Sequence, residues 1–178
     1  MPLESAEEPL RIPYCAAVEL QGEIEEMNLS DYLDETGVVL DISGSSKEEI
    51  LAGLVESLAK LVAVDKNAVV TLLKEREKLS TTGIGCEVAI PHCRTAEVEE
   101  LKIVIARSKE GIDFKALDGK PVRLFFLLIA PEKSNSEHLK ALAKIAKLAK
   151  DREIRERLLS IDTPKGVVQF LIDREANF

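Results

Sequence analysis

The chain has 178 residues, of which 46% are hydrophobic and 31% charged, a balance that fits one globular domain with its own core. No apolar run approaches the ~18 residues of a membrane span, no signal-peptide pattern occurs, and no basic stripe carries interleaved aromatic residues. We therefore expect no membrane insertion, no secretion and no nucleic-acid partner. The three cysteines lack the spacing of a disulfide framework, which favours a cytoplasmic location.

The negative charge is concentrated at the N-terminus. Residues 1–27 hold seven acidic residues and one basic residue, Arg11, and so contribute −6 of the net charge of −8. Three prolines also disfavour regular structure there. We therefore predict a flexible acidic arm over residues 1–27, followed by one domain over residues 28–178. A strand-adding or partner-binding role for residues 12–20 is the alternative.

The domain opens with helix and strand signals. Residues 29–33 predict a short helix, and residues 38–42 predict a first strand. Ser46, followed by Glu49 three residues later, predicts a capping box at the start of a longer helix. The apolar residues of that helix keep helical spacing: Ile50, Leu51, Leu54, Val55, Leu58 and Leu61. The start of the domain therefore follows an α/β pattern.

A second helix leads into the stretch with the densest set of special-purpose residues. Asp65 is the predicted N-cap of this helix, and Arg76 lies near its end. Residues 80–85 are too polar and too rich in glycine to continue the helix and predict a loop. Residues 88–90 predict a short buried strand, which Pro91 ends because proline has no N–H for a sheet ladder. The residue after this proline is therefore expected at a strand end.

That residue is His92, whose imidazole is partly neutral and nucleophilic at neutral pH because its unperturbed pKa is ~6.5. Arg76 offers a planar donor that is always charged. The loop between them supplies hydroxyl and N–H groups that can hold anionic oxygens: Thr81, Thr82, Gly83 and Gly85. Together these groups suit a phosphoryl group if the fold brings them together. The alternative is an ordinary surface or core histidine.

Strands and helices also alternate after the histidine. Residues 101–106 predict a half-buried strand, and residues 122–129 predict a central strand covered on both faces. Ser134 and Glu137 predict a second capping box. Helices are predicted over residues 135–150, over residues 152–159 and from Thr163-Pro164 onward. This order predicts a single α/β domain whose mixed, mainly parallel sheet is sandwiched between helices.

Three short segments stand in order around the histidine: Arg76-Glu77, Thr82-Gly83-Ile84-Gly85 and Ala89-Ile90-Pro91-His92. They resemble the signature of the enzyme IIA domain of the phosphoenolpyruvate-dependent sugar phosphotransferase system, of the mannitol/fructose type and its nitrogen-regulatory relatives. The similarity covers roughly residues 28–174. It implies that His92 accepts a phosphoryl group, that Arg76 and His138 assist, and that no cofactor takes part. It also implies the α/β architecture.

The resemblance implies partners as well. The histidine phosphocarrier protein would be the donor, and an enzyme IIB domain or a regulatory target would follow. Two functions stay open: a phosphocarrier that passes the group on, and a regulatory interaction module in which phosphorylation alters a binding surface. The absence of a fused permease slightly favours the nitrogen-regulatory type as an expectation.

Two departures from the family pattern bear on the site. Cys86-Glu87 stands where the family usually has Asn-Gly, and Cys93 replaces a common glycine. Glu87 would repel an incoming phosphoryl group if it faced the site. The set Cys86, His92 and Cys93 suits zinc poorly, because it offers only three ligands and two of them are adjacent.

Two features have both an ordinary and a functional interpretation. His138 lies near the start of a predicted helix on its apolar side, so it is either a core or capping residue or a helper at the site. The same helix carries four lysines: Lys140, Lys144, Lys147 and Lys150. Such a row is usually a solvated face, and its functional alternative is a docking surface for an acidic partner.

Overall fold

The computed structural model describes residues 27–177, in which five α-helices, two 3₁₀ turns and six strands are found. The strands are β1 (Val38–Val39), β2 (Gly83–Gly85), β3 (Val88–Ala89), β4 (His92–Thr95), β5 (Lys102–Ile112) and β6 (Val122–Pro131). The helices are α1 (Lys47–Leu58), α2 (Lys66–Leu79), α3 (Asn135–Lys150), α4 (Arg152–Ser160) and α5 (Pro164–Glu175), and the 3₁₀ turns are Leu29–Tyr32 and Glu35–Gly37. Apart from Met27, the predicted acidic arm lies outside the described residues.

The strands form one sheet in the order β1-β5-β6-β3-β2, and β4 pairs with β6 beyond the end of β3. β1 runs parallel to β5, and both β3 and β4 run parallel to β6. β5 is antiparallel to β6, and β2 is antiparallel to β3. The prediction of a single α/β domain with a mixed sheet is confirmed.

Strand β6 is buried on both faces, as predicted. Leu124, Phe126 and Leu128 pack in the core formed with α3, α4 and α5. Phe125 and Leu127 pack in a second core formed with α1 and α2. Because alternate side chains of a strand point to opposite faces, one apolar strand serves both cores. The helices therefore sandwich the sheet.

All four predicted strands are present with changed ends, and two of them differ by three or more residues at one end. The predicted strand over residues 38–42 shortens to β1, although Ile42 N–H still donates to the carbonyl of Arg107 at 2.7 Å. The predicted strand over residues 101–106 extends to Ile112, because β5 continues to pair with β6 past a register shift. The prediction that this strand is half-buried is wrong, because its side chains pack in the cores on both faces of the sheet. The predicted helix over residues 29–33 is a 3₁₀ turn.

The predicted N-caps of α2 and α5 are present, whereas the predicted capping boxes of α1 and α3 do not close. The predicted N-caps Asp65 and Thr163 are confirmed. Ser46 accepts Glu49 N–H at 3.2 Å, but the Glu49 carboxylate accepts Ser45 N–H at 2.7 Å instead of closing the box on Ser46. Ser134 caps no N–H of α3, and its hydroxyl donates to Glu137 at 2.9 Å. The capping box predicted at Ser134 is therefore wrong.

The sequence predicted that Lys144 lies on a solvated face with three other lysines. This prediction is wrong for Lys144, which is buried. Its ammonium donates to the carbonyl of Met27 and lies 3.3 Å from the carboxylate of Glu175. That carboxylate also accepts the N–H groups of Leu29 at 2.6 Å and of Ser30 at 3.1 Å. We call these five residues the terminal anchor, because they tie the start of the described chain to α3 and α5.

Candidate functional site

The interruption of the sheet at Pro91 positions the histidine. Ile90 and Pro91 separate β3 from β4, and His92 is the first residue of β4, paired with Leu128 of β6. The ladder therefore resumes immediately after the proline. His92 follows the end of β3 as predicted, but the expectation that it lies outside the sheet is wrong, because it is the first paired residue of the unpredicted strand β4. Its side chain is partly exposed, so the imidazole lies at the surface edge of the sheet.

Hydrogen bonds fix the imidazole of His92 in one tautomer. Nδ1 lies 2.7 Å from the carbonyl oxygen of Ile90, which can only accept, so Nδ1 carries the hydrogen. Nε2 then holds the lone pair and accepts a hydrogen bond from Nε of Arg76 at 3.1 Å. The nucleophilic nitrogen of the neutral ring is therefore Nε2.

The surroundings of His92 favour this neutral form. Burial lowers the pKa of His92 below its ordinary value, and the guanidinium of Arg76 lowers it further. The hydrogen bond to Ile90 and the carboxylate of Glu77 act in the opposite direction and are outweighed. At neutral pH the ring is consequently uncharged, which is the state that a nucleophile requires.

Arg76 lies in the last turn of α2 and reaches across to β4. Besides its bond to His92, its Nη1 donates to the carbonyl oxygen of Ser80 at 3.1 Å and lies 3.4 Å from the Ser80 hydroxyl. Its bonds to His92 and Ser80 thus orient the guanidinium and hold its positive charge beside Nε2 of His92. An anionic group that approached Nε2 would meet this charge directly.

His138 is the third residue of the site and lies beside His92. It lies in the first turns of α3, and its ring centroid is 5.4 Å from that of His92. The side chain is 7% exposed, and its Nδ1 has no hydrogen-bond partner within residues 27–177. Burial, together with the charges of His92, Arg94 and Arg76, lowers the pKa of His138 to about 4. A buried neutral imidazole with an unused nitrogen is ready to bond an incoming group.

The structure therefore brings the three predicted residues together. His92 presents a neutral ring with its lone pair on Nε2, Arg76 presents a fixed positive charge, and His138 presents a second imidazole. Among residues 27–177, no group of three or more His, Cys, Asp or Glu side chains is arranged to hold a metal ion. In the same part of the chain, no helix is long and apolar enough to cross a membrane.

The loop predicted over residues 80–85 is shorter than expected, because Gly83–Gly85 form strand β2, and donors of Thr82 and Gly83 already have partners within the protein. Thr82 gives both its N–H and its hydroxyl to the carboxylate of Glu77, at 2.9 and 2.5 Å. Gly83 N–H donates to the hydroxyl of Thr81 at 3.1 Å. Gly85 adopts φ +94°, where a residue with a side chain would be strained. In this arrangement the loop shapes the site, and its direct contact with a phosphoryl group stays a prediction.

Glycine is required at position 83 by a close approach of the backbone. A Cβ atom at Gly83 would lie 2.8 Å from the Cα of Ala116. Leu117 N–H also donates to the carbonyl of Gly83 at 2.9 Å, and the hydroxyl of Thr81 lies 3.5 Å from the carbonyl of Phe114. The segment after β5 therefore supports the loop from behind.

The first departure from the family pattern, Cys86-Glu87, lies away from His92. Cys86 and Glu87 occupy the turn between β2 and β3 with φ 55° and 65°, the region that Asn-Gly adopts with less strain. Glu87 pairs with Arg123 at 3.8 Å. Because His92 and Val88 pair with β6 residues four positions apart, Glu87 lies more than about 13 Å along the strand from the site. Its carboxylate is therefore not placed to repel a phosphoryl group at His92.

Cys93 points to the opposite face of β4 from His92, into the core with α1 and α2. Burial raises the pKa of its thiol to about 12. A thiol in this state is protonated at neutral pH and is a poor nucleophile. Its position on the other face of β4 keeps it from sharing a zinc ion with His92, which argues against the zinc alternative.

Sequence reasoning assigned no role to Glu77 or Arg94. The side chain of Glu77 is 6% exposed and pairs with Lys47 at 2.7 Å. These two residues are 30 positions apart in the chain, so no local sequence pattern could reveal the pair. Arg94 follows His92 by two residues, so it lies on the same face of β4, and it donates to Asn135 at the start of α3. The alternation of a strand was a signal that could have identified Arg94.

The chain is similar to known proteins over most of its length. Residues 31–174 match the family model described as "Phosphoenolpyruvate-dependent sugar phosphotransferase system, EIIA 2". A "Nitrogen regulatory protein" of Bradyrhizobium diazoefficiens is 39% identical over 132 residues, which cover 74% of this chain and 86% of the relative. The "PTS system fructose-specific EIIABC component" of Bacillus subtilis is 34% identical over 146 residues, which cover 82% of this chain but 23% of that longer protein.

Solved structures show the same fold. The crystal structure of "Nitrogen Regulatory Protein IIA-Ntr" from Neisseria meningitidis has a TM-score of 0.76 and 35% identity, with 80% of this chain and 98% of that chain covered. The complex of enzyme IIAMTL and phosphorylated enzyme IIBMTL from Escherichia coli contains a chain with a TM-score of 0.67 and 25% identity, with 80% and 98% covered. The matched region contains all three residues of the site, and the chain belongs to the EIIA 2 family of the phosphoenolpyruvate-dependent sugar phosphotransferase system.

Proposed function

We propose that this chain is a phosphocarrier that accepts a phosphoryl group on Nε2 of His92 from the histidine phosphocarrier protein. The observation that carries this proposal is the tautomer of His92, whose Nδ1–H is held by the Ile90 carbonyl while Nε2 keeps its lone pair beside Arg76. Membership of a phosphotransferase-system family supports a phosphoryl group as the substrate.

The transfer balances without a cofactor. The lone pair of His92 Nε2 attacks the phosphorus, an N–P bond forms on Nε2, and the N–P bond of the donor breaks with its electron pair returning to the donor ring. Arg76 then exchanges its bond to Nε2 for the phosphoryl oxygens, where its charge stabilises the transition state. His138 turns its unused nitrogen to the same oxygens. His92 retains its hydrogen on Nδ1, so the Ile90 carbonyl stabilises the positive charge that develops on the ring.

The fate of the phosphoryl group separates two versions of this function. We propose the nitrogen-regulatory type, in which the phosphorylation state is a signal to target proteins, because relatives at 39% and 35% identity carry that name. Relay to an enzyme IIB domain for sugar uptake is the second candidate. The fructose-specific relative and the complex with phosphorylated enzyme IIBMTL favour it.

Incubation with phosphoenolpyruvate, the first enzyme of the system and the histidine phosphocarrier protein tests the shared step. We expect the intact mass to rise by one phosphoryl group that is labile to acid, and His92→Ala to remain unmodified. An unmodified wild-type chain, or a modified His92→Ala chain, would refute the proposal. Adding a purified enzyme IIB domain to the phosphorylated chain then separates the two versions, since only relay predicts rapid loss of the group to that domain.

A further inference from the structure

One backbone hydrogen bond expected at the end of the β2–β3 ladder, beside His92, does not form, and its donor and acceptor have other partners. Gly83 pairs with Ala89 in this antiparallel ladder, and Ile90 N–H, in the next pair, donates to the carbonyl of Thr82 at 2.9 Å. In a hydrogen-bonded antiparallel pair the two residues exchange both bonds, so Thr82 N–H would donate to the carbonyl of Ile90. It donates instead to Oε1 of Glu77 at 2.9 Å. The Ile90 carbonyl accepts from Nδ1 of His92.

Glu77 is built to hold the diverted donor. Its Oε1 accepts from both Lys47 and Thr82 N–H, and its Oε2 accepts the Thr82 hydroxyl at 2.5 Å. Lys47 is itself fixed with its ammonium 4.6 Å from the ring centroid of Phe114. Three donated hydrogen bonds, one of them from the charged ammonium of Lys47, thus hold this buried carboxylate in place. The side chain therefore has one rigid position.

We propose that Glu77 is a positioning residue that sets the tautomer of His92 by drawing Thr82 N–H away from the Ile90 carbonyl. Released from the ladder, this carbonyl accepts the hydrogen of His92 Nδ1, which leaves the lone pair on Nε2. Without the Glu77 carboxylate, Thr82 N–H returns to the Ile90 oxygen and shares it with His92, which weakens the bond to Nδ1 and leaves the Arg76 bond to Nε2 as the main restraint on the tautomer. The tautomer is a property of the unmodified protein, and only its consequence for phosphoryl transfer rests on the proposed function.

A purely structural role for Glu77 makes a different prediction. If Glu77 acted only through its ion pair with Lys47, removing either partner would disturb the site equally. In the proposed role the partners are unequal, because Lys47→Met leaves an oxygen that still accepts Thr82 N–H. Glu77→Gln likewise keeps an acceptor oxygen while removing the charge.

The test is nitrogen NMR of the imidazole rings in the full, unphosphorylated chain, at a pH where His92 is neutral. The chain has two histidines, so spectra of His92→Ala and His138→Gln assign every ring signal. We expect wild type, Lys47→Met and Glu77→Gln to show His92 mainly with hydrogen on Nδ1. Glu77→Ala should show a substantial population with hydrogen on Nε2. Amide spectra confirm that each variant is folded.

Glu77→Asp is the second variant, in case Glu77→Ala does not fold. It keeps the charge but withdraws the carboxylate by one methylene, so the shift should have the same direction and be smaller. An unchanged tautomer in folded Glu77→Ala or Glu77→Asp would overturn the proposal. An equal shift in Lys47→Met would also overturn it. If neither wild type nor any variant is phosphorylated, the proposed function is wrong, and the result on the tautomer still stands.

Discussion

The site and the terminal anchor are both built from buried or half-buried polar side chains, yet they are completed to different degrees. At the anchor, the Glu175 carboxylate accepts two backbone N–H groups and pairs with Lys144. At the site, His138 keeps an unused buried nitrogen and His92 keeps a lone pair that only Arg76 occupies. A complete set of partners stabilises the fold, whereas an incomplete one has capacity left for a ligand. The two regions should therefore respond oppositely to substitution.

The largest effect is expected from His92→Ala. Phosphate uptake should be abolished because the only proposed nucleophile is removed, while the melting temperature should change little because His92 is at a strand end. Intact mass and circular dichroism measure the two properties. A variant that still gained an acid-labile phosphate would show that another residue is the acceptor.

Glu175→Ala should break the terminal anchor. It leaves the buried ammonium of Lys144 and two backbone N–H groups without their carboxylate, and removal of one partner of a buried pair costs about 3–5 kcal/mol. Urea unfolding should show this loss, while the phosphorylation rate of the folded fraction stays near that of wild type. Glu156→Ala is the matched control, because its pair with Arg152 is exposed to solvent and its removal should leave the unfolding curve nearly unchanged.

Arg76→Ala and His138→Ala should slow phosphoryl transfer without abolishing it. Each group stabilises charge on the transferring phosphoryl, and the loss of one such group costs about 2–4 kcal/mol in the barrier. Single-turnover transfer from the phosphorylated donor measures the rate. If either variant were as inactive as His92→Ala while its circular dichroism stayed native, the assigned roles would be wrong.

The free energy of unfolding should depend on pH through the titration of His138. The folded pKa of His138 is about 4, below the ~6.5 of an unfolded histidine, so the unfolded chain binds more protons between these values. The contribution of His138 is therefore complete above pH ~6.5 and is lost as the pH falls toward about 4, with a slope of up to about 1.4 kcal/mol per pH unit. Urea unfolding of wild type and His138→Gln should show a weaker dependence in the variant, and equal slopes would contradict it.

Deletion of residues 1–26 should have the smallest effect on stability. The melting temperature should barely change if the acidic arm does not pack on the domain, as its charge and its three prolines predict. Transfer should quicken if the arm repels a negatively charged donor. The deletion must keep Met27, whose carbonyl is bonded by Lys144. A fall of many degrees would show that the arm packs on the domain.

The sequence predicted the parts of the molecule that depend on local pattern. The burial of β6 on both faces follows from its continuous apolar run, and the position of His92 follows from Pro91. His138 was found by resemblance, since its distance of 46 residues from His92 in the chain conceals their contact. Composition could not show that Lys144 is buried, because its partner Glu175 is provided by the last helix.

That last contact also bears on the order in which the chain can mature during synthesis. Leu29 and Glu175 are bonded across 146 residues, so the first turn of the described chain cannot be completed until α5 has been made. Until then Lys144 and the N–H groups of Leu29 and Ser30 depend on water. A nascent chain that lacks Glu175 could thus not form the terminal anchor. The last turn of α5 therefore completes the assembly of the domain.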